Sequence, residues 1–333
     1  MSKYSELENI IRNNSSFLIT THVNPDADAI GSEIAFVEML KKLGKSFHVI
    51  NYSETPYYLE FLDKENVIQK YSPELHNQLF NSVDVIAALD FNNLKRTVKM
   101  EEFIRNSKAV KICIDHHQEP EYFTANYFNG TDYCATGHII YNFIKETGIV
   151  EFDYNLALPI YAAIMTDTGS FRFDRTNAEV HNIAAHLINL GVIPIEVYTQ
   201  IYDQNDAGKL KLLGDALHSL KLYGENGEVA VMIIRNSDFS KNLASETDTD
   251  GFINICMSIK SVKIALKFLE VREGFKVSLR SKGKIPVNYL ASEFGGGGHQ
   301  NAAGIRIRDK QMDELIPTLI QKAISYTKLD GEK

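Results

Sequence analysis

Cysteine is scarce in this chain: Cys113, Cys134 and Cys256 are the whole supply in 333 residues. Three widely separated thiols form neither a disulfide framework nor a C-x-x-C metal pair, which points to reduced, buried cysteines in a cytosolic protein. Long apolar runs are missing too. Nothing approaches the roughly 20 residues that a membrane-spanning helix needs, so no membrane association is expected. The first residues, Met1-Ser2-Lys3-Tyr4-Ser5-Glu6, lack the apolar stretch of a secretion signal, and a cytoplasmic location is the expectation. Positive charge is also short. The formal net charge is −8, and it is unevenly shared. Residues 225–333 carry 16 Lys and Arg against 14 Asp and Glu, a net of +2, which leaves −10 for the rest. Long nucleic acid, which relies on a broad basic surface, is therefore not an expected partner. No Ser/His/Asp or Cys/His grouping suggests a covalent intermediate.

What the chain does have is order. Residues 17–21 form a short apolar and β-branched run that reads as a buried strand, and residues 30–43 carry helical spacing. Between them lies His22-Val23-Asn24-Pro25-Asp26-Ala27-Asp28, one imidazole and two carboxylates packed into a strand-to-helix turn. One Asp there is a helix cap. Two plus a His are more than capping requires. Two further strands, around 83–89 and 109–114, run into Asp90 and into Asp115-His116-His117. Helices between these strands make the first half a βαβαβ arrangement with a parallel sheet, and such sheets collect ligands at their strand ends. Asp167 interrupts an apolar helix near 156–165, and Thr136 is the expected cap of a helix over 135–147.

The fold expected is α/β, with a helix-flanked parallel sheet in residues 1–190, a helical linker over 191–224 and a smaller α/β domain over 225–333. In that second domain strands are expected near 228–235, 261–271, 276–281 and 305–308, with helices over 287–294 and 311–327. A glycine run, Gly295 to Gly298, precedes His299. Glycines let backbone N–H groups approach a phosphate closely, and Arg280, at a strand end, can grip one through two nitrogens.

The side chains His22, Asp26, Asp28, Asp90, Asp115, His116, His117 and Asp167 are rich in oxygen with some imidazole and no thiolate. That donor set suits Mn²⁺ or Mg²⁺ better than a structural zinc. Four of these carboxylates as ligands would carry about −4 and call for two divalent ions, the arrangement used in phosphoester hydrolysis.

In order, His22-x-x-x-Asp26-x-Asp28-Ala29-x-Gly31-Ser32, Asp90, Asp115-His116-His117 and Asp167 resemble the signature motifs of the DHH phosphoesterase superfamily. Gly295–His299 followed by Asn301-Ala302-Ala303-Gly304 resembles its DHHA1 substrate-binding domain. The resemblance covers nearly the whole chain and is most similar to the NrnA-type subgroup. It implies a hydrolase that cleaves short oligoribonucleotides (nanoRNA) to mononucleotides and 3′-phosphoadenosine 5′-phosphate (pAp) to AMP, through a water activated by two metal ions. Mn²⁺ is the implied metal, with Mg²⁺ or Co²⁺ able to serve, and a homodimer is the implied assembly. His22, Asp26 and Asp90 would hold one ion; Asp28, Asp90, His116 and Asp167 the other. Asp115 would orient these groups, and His117 would contact the scissile phosphate and serve as general acid. Arg280, Ser281, Gly296, Gly297, Gly298, His299 and Asn301 would bind substrate, with Arg96 a further candidate. Ala27 replaces a glycine frequent in the family. Two alternatives remain: a phosphodiesterase of dinucleotides such as pApA, pGpG or c-di-AMP, and a nucleotide-binding regulator without activity. A pyrophosphatase has no use for a nucleobase platform, so Gly295–His299 argues against that activity.

Overall fold

Alternation along three short apolar runs sets the architecture of the first half. Phe17, Ile19, Val85, Ala87, Leu89, Ile112 and Ile114 enter one hydrophobic core, while Leu18, Ile86, Ala88 and Cys113 enter another on the opposite face. Strands buried on both faces belong to a parallel sheet covered by helices on each side. The computed structural model, which describes residues 4–328, bears this out. The chain divides into two units, Met1–Gln204 and Asn205–Lys333.

In the first unit β1 (Ser16–Thr20), β2 (Ser46–Asn51), β3 (Ile68–Lys70), β4 (Val85–Leu89), β5 (Val110–Asp115) and β6 (Asn126–Asn129) form one sheet in the order β3-β2-β1-β4-β5-β6. Every neighbouring pair is parallel. The winding runs outward from β1 to β3 and then restarts at β4, so it reverses between β1 and β4. Ligands in such sheets sit beyond the strand ends at that reversal. The sequence reading lacks β3 and β6, which are three and four residues long and carry little apolar signal.

Helix Ala27–Lys42 packs against helix Tyr154–Asp167 at very close range. A Cβ on Gly31 would come within 2.5 Å of the Pro159 carbonyl, and one on Gly137 within 2.6 Å of the Ala163 Cβ. Gly31 permits this contact, and Gly137 permits the like approach of helix Thr136–Thr147 to the same helix Tyr154–Asp167. Helix Thr136–Thr147 ends at Gly148 in the left-handed conformation, φ 60°, as its sequence suggests. Its N-cap is Ala135, with no capping side chain of its own. The expected cap, Thr136, is one residue inside the helix, and its hydroxyl is used elsewhere.

In the second unit β7 (Lys221–Tyr223), β8 (Val229–Ile234), β9 (Ile264–Glu270), β10 (Phe275–Ser281), β11 (Gly297–His299) and β12 (Ala302–Ile307) form a sheet ordered β11-β12-β10-β9-β8-β7. Only β8 and β9 run parallel in it. Helices Val287–Ser292 and Met312–Tyr326 cover one face, while Ala207–His218 and Phe252–Met257 cover part of the other. Glu273-Gly274 makes the expected hairpin turn, with Gly274 at φ 81°. The end of the glycine run is itself a strand, β11. Residues 191–224, read as a linker, hold helix Pro194–Tyr202, helix Ala207–His218 and β7, and the boundary between the units falls inside them, after Gln204. Residues 1–3 of the 1–190 assignment and 329–333 of the 225–333 assignment lie outside the described residues.

Candidate functional site

Five of the eight chemistry-bearing residues ride on the ends of β1, β4 and β5, around the point where the winding reverses. After β1, Asn24 adopts a left-handed backbone (φ 56°) ahead of Pro25, and the chain turns sharply into helix Ala27–Lys42. Asp26 caps that helix, its Oδ1 accepting from the amides of Asp28 and Ala29. The same carboxylate belongs to a group that could hold a metal ion. After β4, Asp90 is also left-handed, φ 64°. A non-glycine residue in this region costs free energy and recurs where function demands a particular direction. Asp167 ends helix Tyr154–Asp167.

These turns bring the side chains into three overlapping groups: His22, Asp26 and Asp90; Asp28, His116 and Asp167; and Asp90, His116 and His117. Within each, one ligand atom per residue lies within 4.8 Å of the others. Asp90 belongs to two of them and faces both ways. Its Oδ2 is 3.4 Å from His22 Nε2, and its Oδ1 is 3.6 Å from His116 Nε2. His116 Nε2 also stands 3.1 Å from Asp167 Oδ2 and 3.6 Å from Asp28 Oδ2. It is buried without a properly directed hydrogen bond. A buried ring nitrogen ringed by three carboxylates, with no hydrogen bond to satisfy it, has the form of a cation site. The groups fit a divalent ion.

The histidine and carboxylate partners agree with that reading. His22 Nδ1 lies 2.9 Å from the Val23 carbonyl. That acceptor assigns the proton to Nδ1 and leaves the Nε2 lone pair facing Asp90. Burial lowers the His22 pKa and keeps the ring neutral, the ligating form. Asp28, fully buried, sits at the N-terminus of helix Thr136–Thr147, which supplies no cap. Its Oδ2 accepts from the Thr136 amide at 2.7 Å and its Oδ1 from the Gly137 amide at 2.9 Å and the Ser32 hydroxyl at 3.2 Å. Even so, burial first and the Asp167 charge second push the Asp28 carboxyl up to about 7. Asp90 is raised well above the carboxylate range by burial and then by Asp28, Asp26, Asp167 and Asp115. Burial opposes charge on His116, yet Asp167 and Asp28 prevail and raise its pKa. A cluster in which buried acids hold protons has a strong demand for positive charge.

Asp115 is buried and turned toward His117. Its Oδ2 accepts from the His117 amide at 3.1 Å and its Oδ1 lies 2.7 Å from His117 Nδ1. The side chain of His117 is 43% exposed, so its other ring nitrogen is open to an incoming molecule.

Three residues that the sequence reading did not place at this centre contact it. The Thr136 hydroxyl donates to Asp90 Oδ1 at 2.9 Å. Gly137 lends its amide to Asp28. Arg175 places Nη1 3.4 Å from His116 Nδ1 and 3.2 Å from the Tyr133 carbonyl. Position 136 showed a capping signal that concealed its actual role. Arg175 carries none. Arg96 is near enough to His22 to oppose its protonation, and its carbonyl accepts from the Val23 amide.

In the second unit His299 pairs with Ala302, which pairs with Arg280, so these three share one row across β11, β12 and β10. Gly296 and Gly298 are explained by the sheet itself: a Cβ on either would meet the Gly304 or Ala302 carbonyl at 2.2 and 2.4 Å. Gly297 has open space beside it. Ser281 and Asn301 build the adjoining loop. The Ser281 hydroxyl donates to the Ile285 carbonyl at 2.7 Å and accepts from Asn301 Nδ2, which also donates to the Gly283 carbonyl.

One unit carries a strand-end cluster of acids and imidazoles, the other a sheet bearing Arg280 and His299, and with the matches that follow the protein is a phosphoester hydrolase. The chain belongs to the DHH family: residues 16–165 match the DHH family N-terminal domain, and residues 226–327 match the DHHA1 domain. It is 29% identical over 305 residues to the bifunctional oligoribonuclease and PAP phosphatase NrnA of Thermus thermophilus, covering 91% of this chain and 87% of that one. The protein of the same name from Bacillus subtilis is 27% identical over 307 residues, covering 91% and 93%. Among solved structures, an exopolyphosphatase-related protein from Bacteroides fragilis superposes with a TM-score of 0.91 at 32% identity, covering 98% of this chain and 97% of that one.

Proposed function

We propose that this protein hydrolyses short oligoribonucleotides to mononucleotides and pAp to AMP, with two divalent ions, Mn²⁺ by preference, held at the ends of β1, β4 and β5. The observation that carries the two-ion reading is Asp90, one carboxylate oxygen toward His22 and the other toward His116. His22, Asp26 and Asp90 hold one ion, and Asp28, Asp90, His116 and Asp167 the other. Bound there, the ions supply Lewis acidity and a reactive water for in-line attack on phosphorus. The chain's own residues do the rest. Thr136 and Asp115 aim Asp90 and His117, and His117 meets the scissile phosphate and donates the proton to the leaving oxygen. Arg280 and His299 bind the nucleotide. The curated relatives named for oligoribonuclease and pAp phosphatase activity support the substrate class, and a cytoplasmic homodimer is the state in which we place the enzyme.

The test is hydrolysis with added Mn²⁺ and a chelator control. The panel is pAp, 5′-phosphorylated RNA dimers to pentamers, pApA, a 24-mer, pyrophosphate and polyphosphate. Chelator-sensitive cleavage that favours pAp and the short RNAs is expected. Cleavage of pyrophosphate or polyphosphate alone overturns the reading, and nucleotide binding without cleavage replaces it with a regulatory role.

A further inference from the structure

The second unit's sheet has two unlike faces. Along β10, Phe275, Val277 and Leu279 point into the core, while Lys276, Ser278 and Arg280 point away from it. Along β12, Ala303 and Ile305 go inward, and Ala302, Gly304 and Arg306 face the same way as the polar set of β10. The antiparallel register orders these residues into three rows. One holds His299, Ala302 and Arg280; the next Gly297, Gly304 and Ser278; the third Arg306 opposite Lys276. The middle row is a floor of two glycines and a serine. Nothing lies within 4 Å of where a Gly297 Cβ would stand, and the nearest atom to one on Gly304 is 3.9 Å away.

Cations therefore stand at both ends of a low floor. Lys276 holds Glu246, and Arg306 donates to the Glu273 carbonyl at 3.2 Å. Lys267, opposite Ser278 on β9, continues the middle row on the same face and is buried there, with Nζ 2.8 Å from the Thr249 carbonyl. Burial lowers its pKa, with Asp250 and Glu246 acting to raise it and Arg280 and Lys276 to lower it. Arg280 and Lys276 are four residues apart on one strand, about 13 Å of chain. One phosphate cannot touch both rows.

We propose that this face is a track with two stations for an oligoribonucleotide. The Arg280 and His299 row takes the nucleotide that every substrate has. The Arg306 and Lys276 row takes a backbone phosphate of the neighbouring nucleotide, which an RNA trimer has and pAp lacks. The smooth floor between them passes the connecting sugar without a clash. The face thereby separates the two substrates of the reaction proposed above, on which this inference rests.

The experiment compares wild type, Arg306→Ala and Lys276→Gln with added Mn²⁺, on pAp and on a 5′-phosphorylated RNA trimer, over a range of salt. Loss of one phosphate contact should raise KM for the trimer about tenfold with kcat held. The rise for pAp should be several-fold smaller. The slope of log(kcat/KM) for the trimer against log[salt] should shrink by about 0.7, the single-strand value per phosphate, a change that a merely structural role does not produce. Equal effects on both substrates, or an unchanged trimer KM and salt slope, overturn the track and leave the activity standing. A wild-type protein that cleaves neither substrate removes the proposed function and the track with it. Circular dichroism establishes that each variant is folded, and either variant alone suffices for the comparison.

Discussion

His22 Nε2 and Asp90 Oδ2 face each other at 3.4 Å across the gap between β1 and β4. The two residues are 68 positions apart in sequence, and each follows one of the two strands at which the winding reverses. A lone pair set against a carboxylate is unfavourable unless a proton or a cation stands between them. The contact is one of those that could hold a metal ion.

Replacing Asp90 with Asn tests it. The side chain keeps its size but loses the charge that faces both His22 and His116. Affinity for Mn²⁺ should fall more than the roughly 10–100-fold that loss of an outer hydrogen-bond partner costs, and hydrolysis should be lost on every substrate. Calorimetric titration reads the first and product release the second. Unaltered metal binding would remove Asp90 from the centre.

Asp28 gives the centre a pH dependence. Its carboxyl is raised to about 7, so below that value it holds a proton that an arriving cation must displace. Metal affinity should therefore climb as pH rises through about 7 and then level, with protons released on binding. Asp28→Asn should bind more weakly and should flatten the climb. Titration in two buffers of different ionisation enthalpy counts the protons. A wild-type affinity that is flat from about pH 5.5 to 8.5 is the contrary result.

Asp115 and His117 should behave as one unit. With Asp115→Ala the imidazole loses the partner that directs it, and turnover should fall about 100-fold, within the range for a lost positioned acid. His117→Ala should cost as much or more, and the double variant little beyond that. Metal affinity should change far less in all three. A collapse of metal binding in His117→Ala would instead make this histidine a ligand alongside Asp90 and His116.

Glu33 makes a prediction about stability. It is fully buried in helix Ala27–Lys42 and accepts from Asn51 Nδ2 at 2.7 Å, while its other oxygen has no partner. Burial raises its carboxyl from 4.5 to about 8. The neutral acid is the form the fold tolerates, so its contribution is fully present below about pH 4.5 and is lost as pH rises through about 8. Glu33→Gln carries no charge to lose. Thermal melting across this window should show the Tm of the variant gaining on wild type by several degrees at the alkaline end. Parallel curves would mean that Glu33 is not protonated in the fold.

The strand ends were legible because parallel strands buried on both faces leave apolar runs that stop abruptly at polar residues, as at Asp90 and Asp115. The turn at His22–Asp28 was legible because proline and clustered ligands are local features. Thr136 was legible only as a cap. Its amide and hydroxyl go to Asp28 and Asp90, which no spacing in sequence reveals. That Ser281 and Asn301 hydrogen-bond to each other is likewise set by the fold and not by spacing.

By itself the sequence determined which residues could do chemistry, and on which strand ends and helix ends they would stand, because secondary structure follows periodicity within a dozen residues. Tertiary structure decided which of them meet. Asp90 faces two histidines because the sheet reverses beside it. Gly31 and Gly137 permit helix contacts that seat Asp28 at a helix end left without its own cap. Lys276 and Arg306 share a face with Arg280 because of antiparallel register. Such partners are separated by tens of residues, and only the packing of buried faces brings them together.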